Sequence, residues 1–142
     1  MAIIQTLTTS FKVEVAQGLH NFTTGTGDVF KLALYTANAD LGASTTAYTT
    51  AGEVSGTNYS AGGIILTNIT PSFQGTTSYW SFQNATFTNV TLTTNGALIY
   101  NSTNGNRSVA VLNFGVNITK TAQDLVITFP VNDATNAVLR IA

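Results

Sequence analysis

The chain has 142 residues, a net charge of -1, 8% charged and 44% hydrophobic side chains, the size of one domain able to bury about two-thirds of its unfolded surface. It has no Cys and one His, which excludes thiolate chemistry and Cys-based zinc or iron–sulfur sites and leaves few groups for acid–base work. The five cations are scattered along the sequence, which argues against a nucleic-acid partner, and no run reaches the roughly 18–20 consecutive apolar residues of a membrane span.

Residues 1–8 read as an extended N-terminal arm with exposed Ile3, Ile4 and Leu7, ahead of a single β-rich domain over 9–142. Phe11, Val15 and Leu19 recur at helical spacing, with Thr9 or Ser10 as the cap, and this predicts a short helix with Lys12, Glu14 and Gln17 off its apolar face. Phe11, Val13 and Val15 also alternate, so a strand there stays open. Strands are predicted at Val29–Thr36, Gly63–Thr70, Tyr79–Gln83, Thr86–Thr93, Ala97–Asn101, Ser108–Asn113, Asp124–Phe129 and Ala137–Ile141, each bounded by Gly, Asn, Ser or Pro. Asn104-Gly105 predicts a hairpin turn between Asn101 and Arg107, since Asn-Gly favours positive φ. The stretch Asn38–Ala61 is rich in small residues and reads as a long excursion with one short strand near Glu53–Ser55, of the kind that carries function or leans on a neighbour. Many short strands joined by turns predict a mainly β, single-domain antiparallel sandwich or barrel with one short N-terminal helix. Its core is expected to hold Trp80, Phe82, Leu98, Tyr100, Leu112, Phe114, Ile127 and Phe129.

Few residues carry candidate chemistry. His20 follows the predicted helix, where imidazoles commonly serve carbonyls or the helix dipole, and no second catalytic group lies near it in sequence. Glu14, Asp28, Asp40, Glu53, Asp124 and Asp133 fall in predicted turns or on the helix surface, where turn chemistry and solvation explain them. No enzymatic activity, cofactor or dedicated metal site is expected. The Asn-x-Ser/Thr triplets at Asn21, Asn58, Asn68, Asn84, Asn89, Asn101, Asn106 and Asn117 follow from the abundance of Asn and Thr. The N-terminal residues show neither a basic start nor an apolar h-region, so a chain made and kept in the cytoplasm, or one that leaves by a route needing no signal, is expected. Tyr48 and Tyr59 stand in the excursion as candidate contact residues.

The segments Phe30–Thr36, Leu41–Thr50, Glu53–Gly63, Gly96–Asn101 and Phe129–Ala137, among them Leu41-Gly42-Ala43-Ser44-Thr45-Thr46-Ala47-Tyr48, resemble a family of small β-rich structural proteins of tailed bacteriophages. The resemblance covers nearly the whole chain and its motifs are structural. It implies a virion component made in the host bacterial cytoplasm: a capsid decoration, or cement, protein that binds the major capsid protein on the outer shell and stabilises the head. The alternative it implies is a tail-fibre or tail-appendage component that binds a receptor or glycan. A homo-oligomer, with a trimer favoured by lattice symmetry, is expected, and Ile3, Ile4, Leu7, Tyr48 and Tyr59 are the expected interaction residues.

Overall fold

The computed structural model describes residues 2–142. In chain order it forms strand β1 (Thr6–Leu7), helix α1 (Thr9–Ala16), then β2 (Phe30–Tyr35), β3 (Ile64–Ile65), β4 (Asn68–Gln74), β5 (Thr77–Phe82), β6 (Ala85–Asn101), β7 (Arg107–Ile127) and β8 (Leu139–Ile141). Every strand pairing is antiparallel. One sheet has the order β1-β7-β6-β2-β3 and the other β4-β5-β8. The two pack face to face as a sandwich that does not close into a barrel.

The β6–β7 hairpin dominates the larger sheet. The strands expected at Thr86–Thr93 and Ala97–Asn101 are one continuous strand of 17 residues, and those at Ser108–Asn113 and Asp124–Phe129 join into one of 21. Register shifts near Val90 and between Thr94 and Gly96 keep β6 paired while it bends, which lets one strand cross the whole sandwich. The turn at residues 102–106 is as expected, with Gly105 at φ 68° and Asn106 at φ 57°. Gly96 sits where the arm crosses the sheet: a Cβ there would come within 2.9 Å of the Ile3 side chain and 2.5 Å of the Leu112 carbonyl oxygen.

The arm is not free. Ile3 bridges Leu41 in parallel, Thr6 and Leu7 pair with Val111 and Ala110, and Asn113 donates its amide to the Ile3 carbonyl at 3.0 Å. Of the three aliphatic residues expected to be exposed, Ile3 is buried, Leu7 is half-buried, and Ile4 alone is open to solvent. Met1 lies outside the described residues. The helix cap is Thr8 rather than Thr9 or Ser10. Its Oγ1 accepts from the Phe11 N–H at 3.4 Å, a contact that typically stabilises a helix by about 1 kcal/mol. Thr8 is fully buried against Ser108, whose Oγ donates to Thr8 Oγ1 at 2.9 Å, so the same residue caps α1 and ties it to β7.

Between the sheets lies an aromatic column. Phe22 stacks on Phe30 with centroids 4.3 Å apart, and Phe82, Trp80 and Phe129 continue it at 5.4–5.8 Å spacings. Of the expected core residues, Trp80, Phe82, Leu98, Tyr100, Ile127 and Phe129 are buried. Leu112 and Phe114 are only half-buried, because β7 runs past the layer that would cover them. The Asn38–Ala61 excursion folds back on its own domain: Ala39, Leu41 and Val54 are buried, and it bridges Ile3, Arg107, Tyr35 and Thr91 through Leu41, Ala47, Glu53 and Thr57, the Glu53 bridge falling where a short strand is expected.

Candidate interaction surface

Two buried polar clusters take up most of the groups that chemistry would need. The first surrounds Glu53. Its Oε1 accepts the Tyr48 hydroxyl at 2.5 Å, and its Oε2 accepts the Tyr59 hydroxyl at 2.6 Å and the Gly62 N–H at 2.7 Å. The Tyr59 oxygen also accepts the Leu34 N–H at 2.9 Å, the Tyr100 hydroxyl donates to the Gly62 carbonyl at 2.6 Å, and the Tyr35 hydroxyl donates to the Thr49 carbonyl at 2.6 Å. Tyr48 and Tyr100 stack at 4.8 Å. Burial first, and then the nearby Glu53 charge, push the Tyr100 phenol up to about 12; Tyr35, Tyr48 and Tyr59 are held well above the usual phenol value for the same leading reason. Four tyrosines from separate segments thus fasten the excursion onto β2 and β6. Glu53 is a structural anchor rather than a solvated turn acid.

The second cluster surrounds Glu14, which is buried although the helical pattern sets it off the apolar face. Its Oε1 meets His20 Nε2 at 2.9 Å and its Oε2 meets an Arg107 guanidinium nitrogen at 2.8 Å. Asn101, fully buried, accepts the Thr103 and Asn104 N–H groups on Oδ1, which fixes its amide orientation. Its Nδ2 then donates to Asp28 at 2.7 Å and faces His20 Nδ1 at 3.1 Å. This network assigns the imidazole proton to Nε2, donating to Glu14. The His20 side chain has no solvent exposure, and its partners are side chains rather than the helix carbonyls the sequence suggests. A base held by a carboxylate has the outline of a catalytic pair, but both ring nitrogens are already committed. The hydroxyls of Thr8, Ser10 and Ser108 are hydrogen-bonded among themselves and to the Thr45 and Val109 carbonyls.

The expected contact residues are thus dispersed. Ile3 is core, Leu7 lies on an edge strand, and Tyr48 and Tyr59 are half-buried braces whose hydroxyls are occupied by Glu53. Ile4 alone presents open apolar surface. What the fold does present is the outer face of the long hairpin. Thr86, Thr88, Thr91 and Thr93 on β6 and Asn117, Thr119 and Thr121 on β7 are exposed. The Thr93 and Thr119 hydroxyls meet at 3.0 Å, and Asn95 donates to Asn117 at 3.0 Å. The start of β7 bridges the excursion at Arg107 and Ala47 and then pairs with β1, but among the described residues its stretch from 114 to 127 pairs with β6 alone, so that part of its other edge is open. The alternation of Thr on β6 is readable in sequence; the free edge is not, because it depends on where β1 stops.

No family model, curated protein or solved structure matches the chain. Among the described residues, no group of three or more His, Asp or Glu side chains is placed to hold a metal ion. Among the same residues, no helix is long and apolar enough to cross a membrane.

Proposed function

We propose that the chain is a structural protein of a tailed-bacteriophage virion: a capsid decoration protein that binds the major capsid protein on the outer shell and stabilises the head. The observation that carries this reading is the exposed Thr/Asn face of the β6–β7 hairpin beside the open edge of β7. Such a surface makes many small neutral hydrogen bonds, wet contacts that are individually modest and add up over an interface. The two internal clusters support the same reading, because they place His20, Glu14 and Glu53 in the service of rigidity. In this reading the protein is made in the host cytoplasm and works as a homo-oligomer, a trimer on a local symmetry axis, whose joined copies raise attachment strength through effective concentration. The tail-appendage reading would use Tyr48 and Tyr59 as a glycan platform, and their engagement with Glu53 makes it the weaker of the two.

The test is co-sedimentation with phage heads that lack the protein. Wild type should pellet with the heads, and Thr93→Lys combined with Thr119→Lys should weaken binding with the fold intact. Equal binding by the double variant would remove the hairpin face from the interface.

A further inference from the structure

The two sheets leave a seam where the edge strand of each is unpartnered. β1 is the outer strand of the larger sheet and β8 the outer strand of the smaller one, and each pairs on one side only. Between them lies an apolar cavity of about 300 Å³, lined by Leu7 of β1, Phe11 and Val15 of α1, Trp80 of β5, and Leu139 and Ile141 of β8. Two further depressions adjoin the same strands, one bounded by Leu7, Val138 and Arg140 and the other by Leu7, Ala110 and Val138. The opening therefore runs along the seam. Lys12 and Arg140 complete the lining of the central cavity, and no carboxylate does. Both ion pairs among the described residues go to Glu14, so neither of these cations is in one; the Asp133 carboxylate feels the Arg140 charge only at longer range, behind its own hydrogen bonds to Asn136 and Thr135. The indole N–H of Trp80, in the same wall, is buried without a hydrogen-bond partner.

We propose that this seam is a binding site for an extended peptide segment of a partner protein, ending in an apolar residue with a free C-terminal carboxylate. The apolar side chain fills the cavity over Trp80 and Leu139. The carboxylate meets Lys12 and Arg140, the charge complement of a lining that holds two cations and no acid. The peptide backbone adds to the edge of β8 that β5 leaves unpaired, at the exposed residues Arg140 and Ile141. The open edge favours a peptide over a free fatty acid, because an acyl chain has nothing to offer those backbone groups. This inference does not rest on the virion reading; it concerns what the isolated protein binds.

Trp80 is the only tryptophan, so its fluorescence reports the cavity directly. The experiment titrates the whole protein with three probes: an acetylated Thr-Val-Thr-Leu-Phe peptide with a free C-terminus, the same peptide as its C-terminal amide, and decanoate. The acid peptide should change Trp80 emission saturably and bind at least about tenfold more tightly than the amide, a difference of about 1.4 kcal/mol. Lys12→Gln and Arg140→Gln should each erase most of that preference and leave amide binding unchanged. N-methylation of alternate peptide amides should weaken binding to wild type, an arm that needs no protein variant. Absence of saturable binding by the acid peptide overturns the proposal. So does indifference to N-methylation with decanoate binding as tightly, which would make the seam an acyl-chain cavity.

Discussion

The Tyr59 hydroxyl donates to Glu53 over 2.6 Å while its oxygen accepts the Leu34 N–H over 2.9 Å, so one side chain satisfies both a half-buried carboxylate and a backbone donor of a central strand. Tyr59→Phe removes one of the three donors to Glu53 and orphans the Leu34 N–H. The expected loss is about 1–3 kcal/mol, read as a lower urea midpoint at unchanged m-value. An unchanged midpoint would mean that the cluster does not hold the excursion.

The same cluster predicts alkaline behaviour. Folding holds Tyr35, Tyr48, Tyr59 and Tyr100 above the usual phenol value of 10, with Tyr100 at about 12, because burial disfavours the phenolates, followed by the Glu53 charge at Tyr35 and Tyr100 and the hydrogen bond to Glu53 at Tyr48 and Tyr59. The unfolded chain loses these protons first as pH rises. The stabilisation is therefore complete below pH 10 and lost as pH climbs from 10 through 12 and beyond. Phenolate absorbance from these four should rise together with the loss of structure. Their ionisation near pH 10, with the fold intact, would contradict the geometry.

Ile3 plugs the space over Gly96 and packs with Leu41 and Val111. Ile3→Ala should cost about 2–5 kcal/mol, whereas Ile4→Ala, at a position 62% exposed, should stay within about 0.5 kcal/mol of wild type. Thermal unfolding of the two variants separates a docked arm from a free one: a docked arm makes them differ, and a free arm makes them alike.

His20→Ala leaves Glu14 with Arg107 alone, removes one of the partners of Asn101 and opens space beside Phe11, whose ring centroid lies 5.0 Å away. A loss of about 1–3 kcal/mol in chemical unfolding is expected, with no change in any binding measured on the hairpin face. A variant as stable as wild type would mean that the imidazole is not part of the fold's framework.

Much of the fold is legible in the sequence because its signals are local. Alternating β-branched and aromatic residues mark β2 and β6, and Asn104-Gly105 marks the hairpin turn. Continuity is harder to read. Asn95-Gly96 and Gly115 look like strand ends, whereas bulges carry the chain through them and the ladder continues. The burial of Glu14 was hidden because Arg107, its partner, lies 93 residues away. The docking of the arm is not legible locally, because its buried Ile3 is covered by Leu41, Val111 and Gly96, which no local pattern links to it. The seam depends on which strands end as edges, a property of topology rather than of any segment.

We propose that the protein coats a capsid shell. The most direct measurement is its copy number in purified virions, by quantitative mass spectrometry against the major capsid protein. The account predicts a number on the same scale as the shell protein, with the chain removed together with the heads when tails are separated. A few copies per particle, fractionating with the tails, would contradict it.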